Sequence, residues 1–468
     1  MSLSPSDPSA RQVLIVGAGL TGLTTAFRLK CAGIDVGILE TADRVGGQIH
    51  SFHRDGFIYE SGPNTGALSH PEVAELFDAL APACPLVTAR SEAKSRWIWK
   101  GDRFHALPSS LLAGLTTPLF SPVDKLRLLG EPFRRRGTDP DETVGALTVR
   151  RLGRSFLRNA VDPFLSGVYA GDPMRLVTRF ALPRLYALEQ TYGSFIRGAL
   201  KKARQPKTER ERRATKQVFA AEGGMERLIE TLADRVGRDR ILLEAKHPRL
   251  TPPTTPEGLW RIDFEHADRP GTITAQHMVT TCPAYALPEL LPFADVEAVQ
   301  AIASLTYAPI VQAAVCLGDT AGRDFAAFGG LVPSAEVQPV LGILFPSSCF
   351  AGRAPQGGAV FSVFMGGVHH PELLDLGDEA VADIVDDVLH RMLRLPAEVK
   401  PVRLDIFRHR RAIPQYEAST EHRLAAVAAL EAAHPGLTLA GNLRDGIGMA
   451  DRIRQGTAVA QRLVEALI

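Results

Sequence analysis

The sequence predicts an α/β protein: a discontinuous Rossmann-like nucleotide-binding domain, a mixed-sheet domain that would hold a substrate, and an α-helical insertion. Three observations carry this. A strand–glycine–helix–strand unit occupies residues 13–40, and a second strand–glycine–helix pattern recurs at 437–468. Between them the pattern changes from alternating to helical and back.

Val13-Leu14-Ile15-Val16 is an uncharged apolar run, as a buried parallel strand requires. In Gly17-Ala18-Gly19-Leu20-Thr21-Gly22, Gly17 permits the tight turn and Gly19 a close backbone approach to a pyrophosphate. Gly22 lets the helix pack on the strand. The helix beginning here offers free N–H groups and its positive dipole end to phosphate oxygens. Glu40 ends the next apolar stretch, Val36-Gly37-Ile38-Leu39, where a carboxylate can accept from a ribose diol and would repel a 2′-phosphate. Arg44-Val45-Gly46-Gly47 follows, suggesting a second backbone approach with Arg44 as counter-charge.

Further along, Phe57-Ile58-Tyr59-Glu60 reads as part of a hairpin leading into Ser61-Gly62-Pro63-Asn64, and 95–106 as a hairpin about Gly101-Asp102. Residues 107–215 are mostly helical and end in the basic run 201–216, read as a solvated, mobile loop. A helix is expected over 226–236, then short strands to 282, strands over 310–317 and 360–365, and helices over 378–393 and 422–433. The closing pattern is a strand at 437–442, a glycine turn at 446–451 and a helix over 452–468. The nucleotide domain is therefore assigned to 1–94, 216–282 and 434–468, the hairpin and helical insertion to 95–215, and the substrate domain to 283–433.

At 468 residues the chain is too long for one simple core. A net charge of +1 gives no general pull toward nucleic acid. Five scattered cysteines with no C-x-x-C pair read as reduced thiols of a cytoplasmic protein, without disulfide or metal spacing. No apolar stretch of about 18 residues exists, so the chain is expected to be soluble or to lie on a membrane surface. The start, 1–10, lacks a signal-peptide pattern. His369-His370 has no ligand partner at metal spacing and reads as a loop.

Taken together, the motifs resemble the FAD-dependent porphyrinogen oxidases of the amine-oxidase-like flavoprotein superfamily. The superfamily pattern is the Gly17–Gly22 motif with Glu40, Arg44-Val45-Gly46-Gly47 and Gly223-Gly224-Met225. The family pattern adds Ser61-Gly62-Pro63-Asn64-Thr65, the 163–173 segment, Leu185-Tyr186-Ala187-Leu188-Glu189 and Tyr192-Gly193-Ser194. Phe364-Met365-Gly366-Gly367, Pro414-Gln415-Tyr416 and Ala440-Gly441-Asn442 with Gly446-Ile447-Gly448 complete it, so the resemblance spans the chain. Ala450 and Arg452 depart from it, standing where the family often has proline and a small or apolar residue.

The resemblance implies an oxidase of haem biosynthesis that removes six electrons from protoporphyrinogen IX in three steps, with dioxygen as acceptor and hydrogen peroxide as product. Coproporphyrinogen III is the alternative substrate; an amine oxidase, a carotenoid-type desaturase or a binding module without turnover are further readings. It places Gly17, Ala18, Gly19, Leu20, Thr21, Gly22, Glu40, Thr41, Arg44, Gly46, Gly47 and Gln48 around FAD, with Gly62, Pro63, Asn64 and Thr65. His247 and the returning Asn442, Ile447, Gly448 and Met449 complete the FAD set. Toward the substrate, it gives Arg96 a propionate and Phe364 a pyrrole ring, with Leu331 and Leu344 as apolar walls. Asn64 would sit near the reacting carbon, and Gly171 would let backbone approach the macrocycle. Plainer readings remain open: an exposed strand arginine, core apolar side chains, and turns at Asn64 and Gly171. The apolar stretch 107–120 corresponds to a membrane-contacting region, which would place the protein in the cytoplasm, peripherally on the inner face of the membrane. A homodimer is left open; nucleic acid and metal are not expected.

Overall fold

The computed structural model describes residues 10–108, 117–255 and 257–468. The strand Ala10–Val16 lies between Val36–Leu39 and Arg269–Thr280, parallel to both. Ile241–Leu242 pairs with Val36–Leu39, and Leu437–Leu439 with residues 278–280, again in parallel. Lys246–Thr251 and Trp260–His266 continue the sheet antiparallel. One sheet is thus drawn from three distant parts of the chain.

Parallel strands need cover on both faces. The helices Leu20–Cys31, Glu226–Val236 and Met449–Leu467 cover one face with Leu23, Leu228 and Ile453. On the other, Val299, Ile302, Val427 and Leu430 pack with Trp260 and Met278. These last four come from Val296–Ala303 and Thr420–Ala433, which the sequence assigns to the substrate domain. Their apolar faces meet the nucleotide sheet instead.

The second sheet runs Arg403–Pro414, Tyr307–Leu317, Ala359–Gly366, Val340–Leu344, Gly329–Leu331, Arg96–Trp99, Phe104–Ala106. The hairpin of residues 96–106 therefore belongs to this sheet and not to the helical insertion, because Arg96–Trp99 pairs in parallel with Gly329–Leu331. Its turn sets both Gly101 (φ 58°) and Asp102 (φ 60°) in the left-handed region, the type I′ geometry that matches strand twist. Behind the sheet, Val381, Val385 and Leu389 pack on Phe361 and Val363. The helix expected over 378–393 is α-helical as Asp378–Asp387 and turns π-helical at Val388–Met392.

In the helical region, Arg151, Glu131 and Glu189 are fully buried and paired, Arg151 lying 2.6 Å from Glu131 and 2.7 Å from Glu189. The basic run 201–216 is docked rather than loose. It contains the helices Phe195–Arg204 (in part) and Glu209–Arg212; Arg210 pairs with Glu72 and Glu75, and Arg213 with Asp78, all on the helix Pro71–Leu80. Opposite charges on a neighbouring helix decide this, and a local reading of the run does not include them. Of the apolar stretch 107–120, residues 109–116 lie outside the described residues. Among the described residues, no helix is long and apolar enough to cross a membrane.

Candidate active site at the seam of two sheets

The glycine turn leads from Val16 into the helix Leu20–Cys31, whose first turn carries no acidic residue. A Cβ at Gly22 would be driven into the Gly17 carbonyl oxygen, so this helix can approach its strand only with glycine there. Above Gly19 no atom of the described residues beyond its chain neighbours lies within 4 Å of an added Cβ, leaving the helix N-terminus open to a phosphate. Leu20 and Thr21 are buried behind it. Glu40 closes the turn: its Oε2 accepts from Ala18 N (2.7 Å) and its Oε1 from Ala42 N (2.9 Å), with the Thr41 hydroxyl at 3.3 Å from Oε1.

Gly46 N donates to Ala18 O (2.9 Å), fastening the second glycine turn to the first. Arg44, read as a counter-charge, directs its guanidinium to the carbonyls of Val45, Ile49 and Gly47 (2.7–3.0 Å). It holds the turn's shape. At the far end, Glu244 N and Ala245 N donate to Ala42 O and Glu40 O, which brings 244–247 beside Glu40. The His247 imidazole itself turns to Glu289 (3.0 Å). From the other side come Gly448, capping the helix Met449–Leu467, and Ile447. That helix locks onto the first: Thr25 Oγ1 donates to Gly456 O (3.2 Å). Open helix N-termini, close-approach glycines and a carboxylate beyond the second parallel strand fit FAD.

Four contacts stitch this cradle to the second sheet. Gln312 Nε2 donates to Glu60 O (2.7 Å), and His409 Nε2 meets Ser61 O (2.6 Å). Gln48 Nε2 reaches Ala412 O (3.3 Å). Ser362 Oγ donates to Asn64 Oδ1 (2.8 Å), while Asn64 Nδ2 donates to Gly62 O (3.0 Å). Asn64 thereby holds the turn Gly62-Pro63-Asn64-Thr65 against the sheet. Gly62, Pro63 and Thr65 follow its path, with Gly62 pressed on the Gln48 carbonyl.

Residues directly paired across neighbouring strands share a face. Ser362 pairs with Leu344, Leu344 with Gly329, and Gly329 with Arg96. In the next row, Gln312 pairs with Phe364, Phe364 with Gly342, Gly342 with Leu331, and Leu331 with Ile98. Arg96, Leu331, Leu344 and Phe364 therefore stand on one face, the face that meets Asn64. The strands Gly329–Leu331, Val340–Leu344 and Ala359–Gly366 are buried throughout except for one residue each: Leu331, Leu344 and Phe364. Arg96 is exposed, stacks its guanidinium 5.1 Å from the Phe328 ring centre, and has no carboxylate partner among the described residues.

Gly171 is buried and packs against Gln415. The position a Cβ would take is filled by Gln415 Oε1, whose amide also donates to Tyr169 O (2.8 Å). Gly171 makes room for that side chain. Asn442 is held by Tyr307 OH at its Oδ1 (3.4 Å) and by Tyr416 OH at its carbonyl (2.9 Å). Sequence reasoning missed Ser362 and Gln312, although two-residue alternation from Phe364 reaches Ser362. Burial pushes the Cys282 and Cys84 thiols up to about 11 and those of Cys316 and Cys349 to about 12, so none is a thiolate nucleophile at neutral pH.

Fold and cradle together define an FAD-dependent oxidoreductase. Residues 20–464 match the family model "Flavin containing amine oxidoreductase". Protoporphyrinogen oxidase of Bos taurus is 30% identical over 97% of this chain and 98% of its own length. Protoporphyrinogen oxidase 2 of Arabidopsis thaliana is 27% identical over 98% and 95%. A crystal structure of a proposed protoporphyrinogen oxidase from Exiguobacterium sp. 255-15 superposes with a TM-score of 0.79 at 23% identity, covering 97% of this chain and 99% of that one. The chain belongs to the flavin containing amine oxidoreductases and, within them, to the protoporphyrinogen oxidase family.

Proposed function

We propose that the protein oxidises protoporphyrinogen IX to protoporphyrin IX, three dioxygen molecules taking up six electrons and six protons as three hydrogen peroxide. One observation supports this most directly. In three adjacent strands the single residue left uncovered is Leu331, Leu344 or Phe364, and all three share a face with the unpaired Arg96. An apolar floor with one cation at its edge suits a flat macrocycle bearing propionates. Bound FAD would accept hydride and return electrons to dioxygen. The protein's own part is to orient the ring: Phe364 and the leucines against its faces, Arg96 on a propionate, and Asn64 setting the turn between sheet and cofactor.

FAD-loaded protein mixed in air with protoporphyrinogen IX should develop Soret absorbance well above autoxidation, with about three hydrogen peroxide per porphyrin. A rate equal to autoxidation overturns the reading. Running coproporphyrinogen III alongside compares kcat/KM for the two substrates. Arg96→Ala should raise KM roughly tenfold while changing kcat less than about twofold, since a charge-assisted bond to a remote propionate acts mainly on binding. An unchanged KM would remove Arg96 from that role.

We also propose peripheral contact with the inner face of the cell membrane. The helix Pro122–Leu129 is capped by Ser121 and Asp124 yet buries none of its residues. Val123, Leu126 and Leu129 are at least 68% exposed, and Phe133 just beyond is 83% exposed. Such a stripe suits an interfacial helix. Sedimentation with vesicles containing phosphatidylglycerol should retain the protein, and Leu126→Glu with Leu129→Glu should release most of it without lowering activity on dispersed substrate. Equal retention of both proteins would dismiss the contact.

A further inference from the structure

We propose that Arg452 is a positioning residue for the flavin: with Tyr416 it fixes the Ile447 amide toward the cofactor and adds a buried positive charge behind it. The assignment rests on the FAD cradle and not on the choice of substrate.

Arg452 stands in the first turn of Met449–Leu467 and is nine-tenths buried. Its Nη2 donates to Arg444 O (2.8 Å) and Gly446 O (2.7 Å), and its Nη1 to Gln455 Oε1 (2.8 Å). Tyr416 OH shares its one proton between the Asn442 carbonyl and the same Gly446 carbonyl (2.9 Å each). In a planar trans peptide the carbonyl and the following N–H point in opposite directions. With Gly446 O held from behind by two donors, Ile447 N–H is turned away from them, on the outer side of the turn. Gly448 N is already taken by Asp451 Oδ2 (3.1 Å), whereas Ile447 N has no acceptor among the described residues. The Ile447 side chain packs against the cluster of Val144, Leu165, Tyr169, Leu176 and Ala181.

No carboxylate lies within ion-pair distance of Arg452 among the described residues. The neighbouring Asp451 is bonded to His70 (3.1 Å) and Gly448, and Asp445 to Gln455 Nε2 (2.8 Å). Its Nε is buried without an acceptor. Burial lowers its pKa from the usual guanidinium value, and the charges of Tyr416, Asp451 and Asp445 counter this in part. A buried cation held only by carbonyl groups is costly unless an anion arrives nearby. Two electrons and one proton turn a bound flavin into such an anion, its charge spread over N1 and the C2 carbonyl. A fixed amide backed by a buried cation favours that form as an oxyanion hole favours its anion.

Flavin properties alone test this, without porphyrinogen. Arg452→Met, loaded with FAD, should hold its flavin about tenfold less readily in the reduced state, a fall of about 30 mV in a dye-coupled titration. Its affinity for sulfite, which adds to flavin when charge at N1 is stabilised, should drop at least tenfold. Tyr416→Phe, which keeps the charge but removes one donor, should shift both readings in the same direction by less. Wild-type potential and sulfite affinity in FAD-loaded Arg452→Met would overturn the proposal. If that variant cannot retain FAD, Tyr416→Phe decides: a lowered potential and weaker sulfite binding support the proposal, and wild-type values overturn it.

Discussion

Gly22→Ala should yield protein that purifies without FAD. The added methyl group would occupy the place of the Gly17 carbonyl oxygen and press on Thr281 Oγ1, so the first helix must leave its strand and take its N–H groups with it. Overpacking of this kind costs about 1–3 kcal/mol in a core. Here the same displacement opens the phosphate site, and FAD affinity should fall well over tenfold. Absorbance at 450 nm per mole of chain, with added-FAD titration, reads the result. Gly19→Ala is the informative contrast. Its methyl group meets no atom of the described residues beyond its chain neighbours, so the apoprotein should melt as wild type while FAD still binds poorly. Wild-type FAD content in both variants would show that the turn is not the phosphate site.

Glu131→Ala should produce the largest loss of stability in the helical region, about 3–5 kcal/mol, because it takes from Arg151, in a site with no solvent access, one of its two carboxylates and leaves only Glu189 to balance the charge. Glu131 also accepts from Ser194 Oγ (2.6 Å), Phe195 N (2.9 Å) and Ile196 N (3.2 Å), so three donors lose their partner together. Burial pushes the Glu131 carboxyl up, but those donors and the Arg151 charge outweigh it and hold the pKa below the usual value. Glu189 is lowered likewise: burial is outweighed by Arg150, Gly137 N and Arg151. A lowered carboxylate contributes stability that is complete above its unfolded value, about 4.3, and is lost as pH falls through the folded value. Thermal unfolding followed by circular dichroism from pH 7 to 3 should therefore show wild-type Tm dropping steeply below about pH 4.3, and Glu131→Gln dropping less. Equal slopes would place the acid sensitivity elsewhere.

The nucleotide unit was legible because its chemistry is local. Gly17, Gly19, Gly22 and Glu40 lie within one strand–helix–strand unit, and each acts through its own backbone or carboxylate. The returning helix was legible for the same reason. The edge of the second sheet was not, because pairing of Arg96 with Gly329 joins segments more than two hundred residues apart and neither sequence hints at the other. The helix expected over 422–433 is present as Thr420–Ala433 and the helix Val296–Ala303 was not anticipated, and neither apolar stripe names the sheet it covers. Gly171 shows a neighbour the sequence hides: Gln415, remote in the chain, fills the position a Cβ would take there.

The bond from Thr25 to Gly456 joins residues 431 apart in the chain. On a ribosome adding about 5–20 residues per second, the first helix would wait roughly 20–90 s before the segment that covers it exists. Through that interval Thr21, Thr24 and Thr25, all buried in the finished fold, lack their cover. The strand that extends the sheet beside Thr280 is also still to be made. The nascent chain can therefore form a glycine turn early but cannot complete the cofactor cradle until synthesis is nearly through the helix Met449–Leu467, so FAD capture is a late event in its biogenesis.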